Sequence, residues 1–79
     1  MSNKELFREI YAKTLMADFT KHPTDYFWPL SELPTVVDKM TEACARGSAH
    51  LQSRAIKAAM KQLALKNRTE LMGFLKGSA

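Results

Sequence analysis

From Ser48 to Lys66 the chain runs rich in alanine and free of glycine and proline, the composition of a helix. At about 100° per residue, Leu51, Ala55, Ile56, Ala59, Met60 and Leu63 fall on one side. His50, Arg54, Lys57 and Lys61 gather in a stripe on the other. The spacing predicts one helix from Ser48, its N-cap, to Leu65 or Lys66. Its apolar side must be covered by other elements, and its basic side offers a surface to an anion.

The charge distribution sharpens that picture. Residues 1–40 hold five Lys/Arg against six Asp/Glu, and residues 41–79 hold seven against two, giving −1 and +5 toward the net +4. Between Ala43 and Thr69 there is no acid, while Arg46, Arg54, Lys57, Lys61, Lys66 and Arg68 are basic. Without interspersed Glu, no i,i+4 partner neutralises these cations within the helix. DNA or RNA is the commonest polyanion such a face meets, and an acidic protein surface is the alternative.

With 79 residues there is room for one domain, residues 1–79, with a modest core. Its 46% hydrophobic and 25% charged content is that of a globular protein. No apolar run approaches the roughly 20 residues of a membrane span. The polar start Met-Ser-Asn-Lys-Glu does not read as a signal peptide, so a cytoplasmic location is expected. A membrane-surface role suits the alanine-rich apolar side of the basic helix poorly.

Other helices follow from local signals. Ser2 and Glu5 make a capping box for a first helix over about 3–20. Its broad apolar face (Leu6, Phe7, Ile10, Tyr11, Thr14, Ala17) predicts contact with more than one element. His22-Pro23 ends it. Residues 20–34 hold Pro23, Pro29, Pro34 and the run Tyr26-Phe27-Trp28, read as an ordered loop. That run serves either as a plug, with Phe27 and Trp28 closing the end of a bundle, or as an exposed patch for a partner. Ser31 is the expected cap of a second helix. In it Leu33, Val36, Val37, Met40, Ala43 and Cys44 face inward, and Asp38, Lys39, Thr41 and Glu42 face out. Gly47 supplies its C′ position, so a very short turn should lead into the basic helix. Asn67 and Glu70 cap a fourth, short helix carrying Leu71, Met72, Phe74 and Leu75. The expected fold is all-α: a small bundle of about four helices joined by short turns, with one Pro/aromatic-rich loop.

Enzymatic signals are missing. There is no glycine-rich phosphate loop, no nucleophile elbow and no paired-carboxylate site. Cys44 is the only cysteine, a core residue in this reading, and it forms no metal-ligand spacing with His22 and His50. No cofactor or metal is expected.

The segment Lys61-Gln-Leu-Ala-Leu-Lys-Asn-Arg-Thr-Glu-Leu71 resembles the end of the helix-turn-helix domain of LuxR-type and response-regulator transcription factors. In that family a recognition helix finishes in a Lys-Leu-Gly-Val-like turn, followed by Asn-Arg-Thr-Glu and a last short helix. Ala64 stands where the family carries glycine. The resemblance implies that Ser48–Leu63 corresponds to the recognition helix, that Arg54, Lys57 and Lys61 face DNA, and that Leu63, Leu65 and Leu71 hold the turn. The leading expectation is a small DNA-associated regulator, as a homodimer, using His50, Arg54, Lys57, Lys61, Lys66 and Arg68. The alternative is a phage- or plasmid-type protein-binding inhibitor or adaptor using Tyr26, Phe27 and Trp28 or the basic face.

Overall fold

Helix α1 (Asn3–Lys21) starts where the capping box predicts: Ser2 Oγ accepts from the Glu5 amide at 3.1 Å, and Glu5 Oε1 accepts from the Ser2 amide at 3.4 Å. The structure, a computed structural model, describes residues 2–49 and 53–77. Three more helices follow, α2 (Leu33–Arg46), α3 (Arg54–Gln62) and α4 (Arg68–Lys76), with one-turn 3-10 helices at Pro23–Asp25 and Leu30–Glu32. No strand occurs among the described residues, so the fold is the small all-α bundle the spacing predicts.

The bundle is built on α1, not on the basic stretch. Helix α1 packs most extensively on α3 and also on α2 and α4, while α2 packs on α4. Phe7, Tyr11 and Leu15, four residues apart, are buried along its centre. At the α1–α3 crossing Thr14 Oγ1 donates to the Ala55 carbonyl at 2.8 Å. At the other end Asn3 Nδ2 donates to the Phe74 carbonyl at 3.1 Å, tying α1 to α4. Ile56, Ala59 and Leu71 complete the dry centre.

Helix α2 departs from expectation at its start. Ser31 lies inside the Leu30–Glu32 turn, and α2 begins at Leu33 with no side-chain cap; Pro34 sits in its first turn, where its missing N–H costs nothing. Thr41, expected outside, is fully buried. The inward arc runs through Leu33, Val37, Thr41, Cys44 and Ala45. The Thr41 hydroxyl survives burial by donating to the Val37 carbonyl at 2.7 Å. The helix ends as predicted at Gly47, left-handed at φ +74°, with the Ser48 amide donating to the Ala43 carbonyl at 2.9 Å.

Ser48 is therefore spent on closing α2, and its hydroxyl also donates to the Ala43 carbonyl. Ser53 caps α3 instead, accepting from the Ile56 amide at 3.5 Å. Among the described residues, α2 and α3 share no contact comparable to those each makes with α1. The helical path predicted through His50, Leu51 and Gln52 lies outside the described residues. At its far end α3 stops at Gln62. Ala64 turns left-handed at φ +57°, and the Leu65 amide donates back to the Met60 carbonyl at 2.8 Å. Helix α4 is separate, capped by Asn67 Oδ1 accepting from the Glu70 amide at 2.9 Å.

Candidate nucleic-acid interface

The basic stripe of α3 divides into two parts with different electrostatic surroundings. Arg54 is the first residue of α3, where the positive end of the helix dipole disfavours a cation. It is held there by two carboxylates from outside the helix. Its Nε meets Asp18 Oδ1 at 2.9 Å and its Nη2 meets Asp18 Oδ2 at 3.2 Å, while Asp25 accepts from the same Nη2. Asp18 comes from α1 and Asp25 from the Pro23–Asp25 turn, so the cluster joins three elements. The Tyr26 hydroxyl also donates to Asp18.

These contacts set the protonation of the group. Hydrogen bonds from Arg54 hold the Asp18 carboxyl below the usual carboxylate range, with the Tyr26 hydroxyl and the Arg54 charge acting in the same direction. Burial, then the hydrogen bond to Asp18, pushes the Tyr26 phenol up to about 12. Arg54 remains exposed, yet its charge is answered within the chain. Asp18 and Asp25 stand on other elements, so a search for i,i+4 partners along α3 does not reach them. The sequence signal was the absence of any acid in the first turn of α3, which leaves a dipole and an arginine to be compensated from elsewhere.

Lys57, Lys61 and Lys66 form the other part. The first two are a helical turn apart on α3 and the third lies beyond the Ala64 turn. All three border an open depression of about 410 Å³, floored by Met60, Ala64 and Leu65. None has a carboxylate within ion-pair distance among the described residues. Glu70, the nearest acid in sequence, spends Oε1 on the Lys66 amide at 2.8 Å. Arg68 is engaged within the chain: its Nη2 donates to the Ala49 carbonyl at 3.1 Å, fastening Ala49 to α4. His50 lies outside the described residues.

The aromatic run separates its members. Tyr26 has extended backbone (φ −117°, ψ 136°), and consecutive side chains of an extended strand point to opposite sides. Tyr26 and Trp28 accordingly stack around Phe19 of α1, with ring centroids 5.1–5.4 Å apart. Phe27 is 100% exposed. Trp28 packs inward as the plug requires, with Tyr26 and Phe19 beside it, whereas Phe27, expected inward with Trp28, points to solvent.

Burial pushes the Cys44 thiol up to about 11, so it stays protonated at neutral pH. No cluster of His, Cys, Asp or Glu with metal-binding geometry occurs among the described residues, and none of their helices is long and apolar enough to cross a membrane. No protein-family model matches the chain, and no curated protein or solved structure matches it significantly.

Proposed function

We propose that this chain is a small, non-enzymatic DNA-associated regulatory protein that takes up backbone phosphates on Lys57, Lys61 and Lys66. One observation carries the proposal: three lysines from α3 and the turn after it border one exposed depression with no carboxylate paired to them among the described residues. Unmatched ammonium groups at helical spacing suit a row of phosphates, whose neutralisation releases counterions and supplies affinity without reading sequence. Arg54 contributes less than its exposure implies, because Asp18 and Asp25 already occupy its donors. A module of this size buries little surface on DNA, so two copies on one duplex, in the cytoplasm, complete the proposal.

The test is binding to duplex DNA at several salt concentrations, for the wild type and for the Lys57→Gln/Lys61→Gln/Lys66→Gln variant. Each phosphate contact contributes about −0.9 to the slope of log affinity against log salt, so the variant should flatten that slope by about 3. Its helical content should be unchanged. A wild type that fails to bind duplex at low salt ends the proposal.

A second reading is favoured by one feature. Phe27 stands fully exposed while Tyr26 and Trp28 anchor the loop beneath it, which is the arrangement of an aromatic anchor for a partner's pocket. In that reading the chain is a protein-binding inhibitor or adaptor, and the lysines meet an acidic protein surface.

A further inference from the structure

The outward face of α4 carries an unexplained glycine. Leu71 and Leu75 point into the core, and Gly73 lies on the opposite side of the helix, between Thr69 and Lys76, all three exposed. A Cβ built on Gly73 meets no atom within 4 Å, and its φ is not in the left-handed region. Nothing among the described residues therefore requires glycine at the middle of a nine-residue helix, where it weakens the helix relative to alanine. Glycine at the crest of an exposed helix does allow the backbone to come close to something outside the chain.

Three further observations bear on the chemistry of a partner at this face. Helix α3 reaches α4 through residues 63–67, a tight connection whose pivot, Ala64, is left-handed. Both helices pack on α1, which fixes them relative to each other. The unmatched Lys57, Lys61 and Lys66 border the depression beside this connection, and Lys66 lies two residues before α4 begins. Helix, tight turn, helix, with cations on the first helix and the turn, is the arrangement in which the first helix crosses a phosphate backbone and the second enters the groove beside it.

Building on the phosphate-binding role assigned to these lysines, we propose that α4, rather than α3, is the element that enters the major groove of duplex DNA. Its Thr69–Gly73–Lys76 face lies toward the base edges, and Lys57, Lys61 and Lys66 sit on bordering phosphates. An α-helix about 10–12 Å across nearly fills a major groove about 12 Å wide, so the absence of a side chain at its crest sets how deeply it can seat. Glu70, the acid on this helix, has an oxygen held by the Lys66 amide.

The experiment uses the full chain and a short duplex at saturating protein, with methylation of guanine N7, an atom of the major groove, as the footprint. Wild type should protect N7 positions. Gly73→Gln, neutral and a better helix former, should raise the thermal midpoint, weaken binding tenfold or more and leave the salt slope unchanged. Thr69→Gln, at the first turn of the same face, serves as a second variant with the same expectation should Gly73→Gln fold poorly. The lysine triple variant instead flattens the slope. If both face variants bind as tightly as wild type, or N7 stays unprotected while binding still depends on the lysines, the groove assignment is overturned and the phosphate-binding role stands. Absence of any duplex binding by wild type overturns both and leaves a protein partner as the occupant.

Discussion

Arg54 and Lys57 sit three residues apart on the same short helix, both exposed, and they live in opposite electrostatic worlds. Arg54 faces α1 and the Pro23–Asp25 turn, where two carboxylates from the acid-containing half of the chain reach it. Lys57, with Lys61 and Lys66, faces a depression to which that half contributes nothing. The same division holds elsewhere: Lys4 pairs with Glu42 at 3.0 Å and Arg8 lies 3.8 Å from Asp38, both across the α1–α2 pair. Exposure of a cation is therefore a poor guide to its availability. What separates the two groups is which helices pack beside them, and that depends on α1 being the hub.

The largest expected effect asks what holds α3 on that hub. Ile56 is fully buried, so Ile56→Ala should destabilise by about 2–5 kcal/mol in chemical denaturation. Arg54→Gln should lower the midpoint by less, since solvent screens the exposed guanidinium even though the Asp18 side chain is largely covered. An Arg54→Gln loss equal to that of Ile56→Ala would mean that the charge cluster, not burial, seats the helix.

The aromatic run offers a second contrast on the same side of the molecule. Trp28 is partly buried against Phe19, so Trp28→Ala should cost about 2 kcal/mol, roughly half of a fully buried tryptophan. Phe27→Ala should fall within about 0.5 kcal/mol of wild type. Trp28 is the chain's only tryptophan, so native fluorescence reports on it directly, and a water-like emission would contradict the stacking.

Protonation should expose the clamp without mutation. The Asp18 carboxyl is held low in the fold, so its contribution is present above the unfolded carboxylate pKa and is lost as pH falls through the lowered folded value. Tyr26 is raised to about 12, so its contribution is present below the unfolded pKa of about 10 and fades as pH climbs through about 12. Burial raises the chain's other tyrosine, Tyr11, as well. Phenolate absorbance should therefore lag a free-tyrosine titration, with Tyr26→Phe leaving only the Tyr11 component. An ordinary tyrosine titration of folded protein would refute the burial of both phenols, and with it the Asp18 contact.

The parts of this fold that were legible in the sequence are those written in a few consecutive residues. Ser2 with Glu5, Gly47, and Asn67 with Glu70 each specify a helix end, because a cap needs only one side chain and a backbone group three positions away. The rest depended on choices made at long range. Ser48 and Ser53 are both fit to cap α3, and the first is consumed at the end of α2. Thr41 reads as polar and outward until the register of α2 against its neighbours turns it inward, where a local back-bond satisfies it. The candidate site was half legible for the same reason. The lysines stand out as a local stripe, whereas the Asp18 that neutralises Arg54 is 36 residues away in sequence and becomes its neighbour only when α1 and α3 pack.

The smallest expected effect tests the turn that gives the lysine depression its floor. Ala64 is left-handed at φ +57°, a conformation that costs a residue with a Cβ about 1–2 kcal/mol. Ala64→Gly removes that cost, but glycine also gains freedom in the unfolded chain, worth about 0.4–1 kcal/mol in the opposite direction. The net should be a gain of roughly 0.5 kcal/mol, with Lys57 and Lys61 still presented on the same edge and the salt dependence of binding unchanged. Gly47→Ala, at φ +74°, should carry the reverse sign and a larger size. There the new Cβ also approaches Met72 Sδ to 2.8 Å, although the flexible methionine can move aside and the backbone cannot. Measured side by side in denaturant, Ala64→Gly should be the more stable and Gly47→Ala the less stable than wild type. A loss at Ala64→Gly would mean that this turn is not left-handed, and the shape of the lysine edge would have to be redrawn.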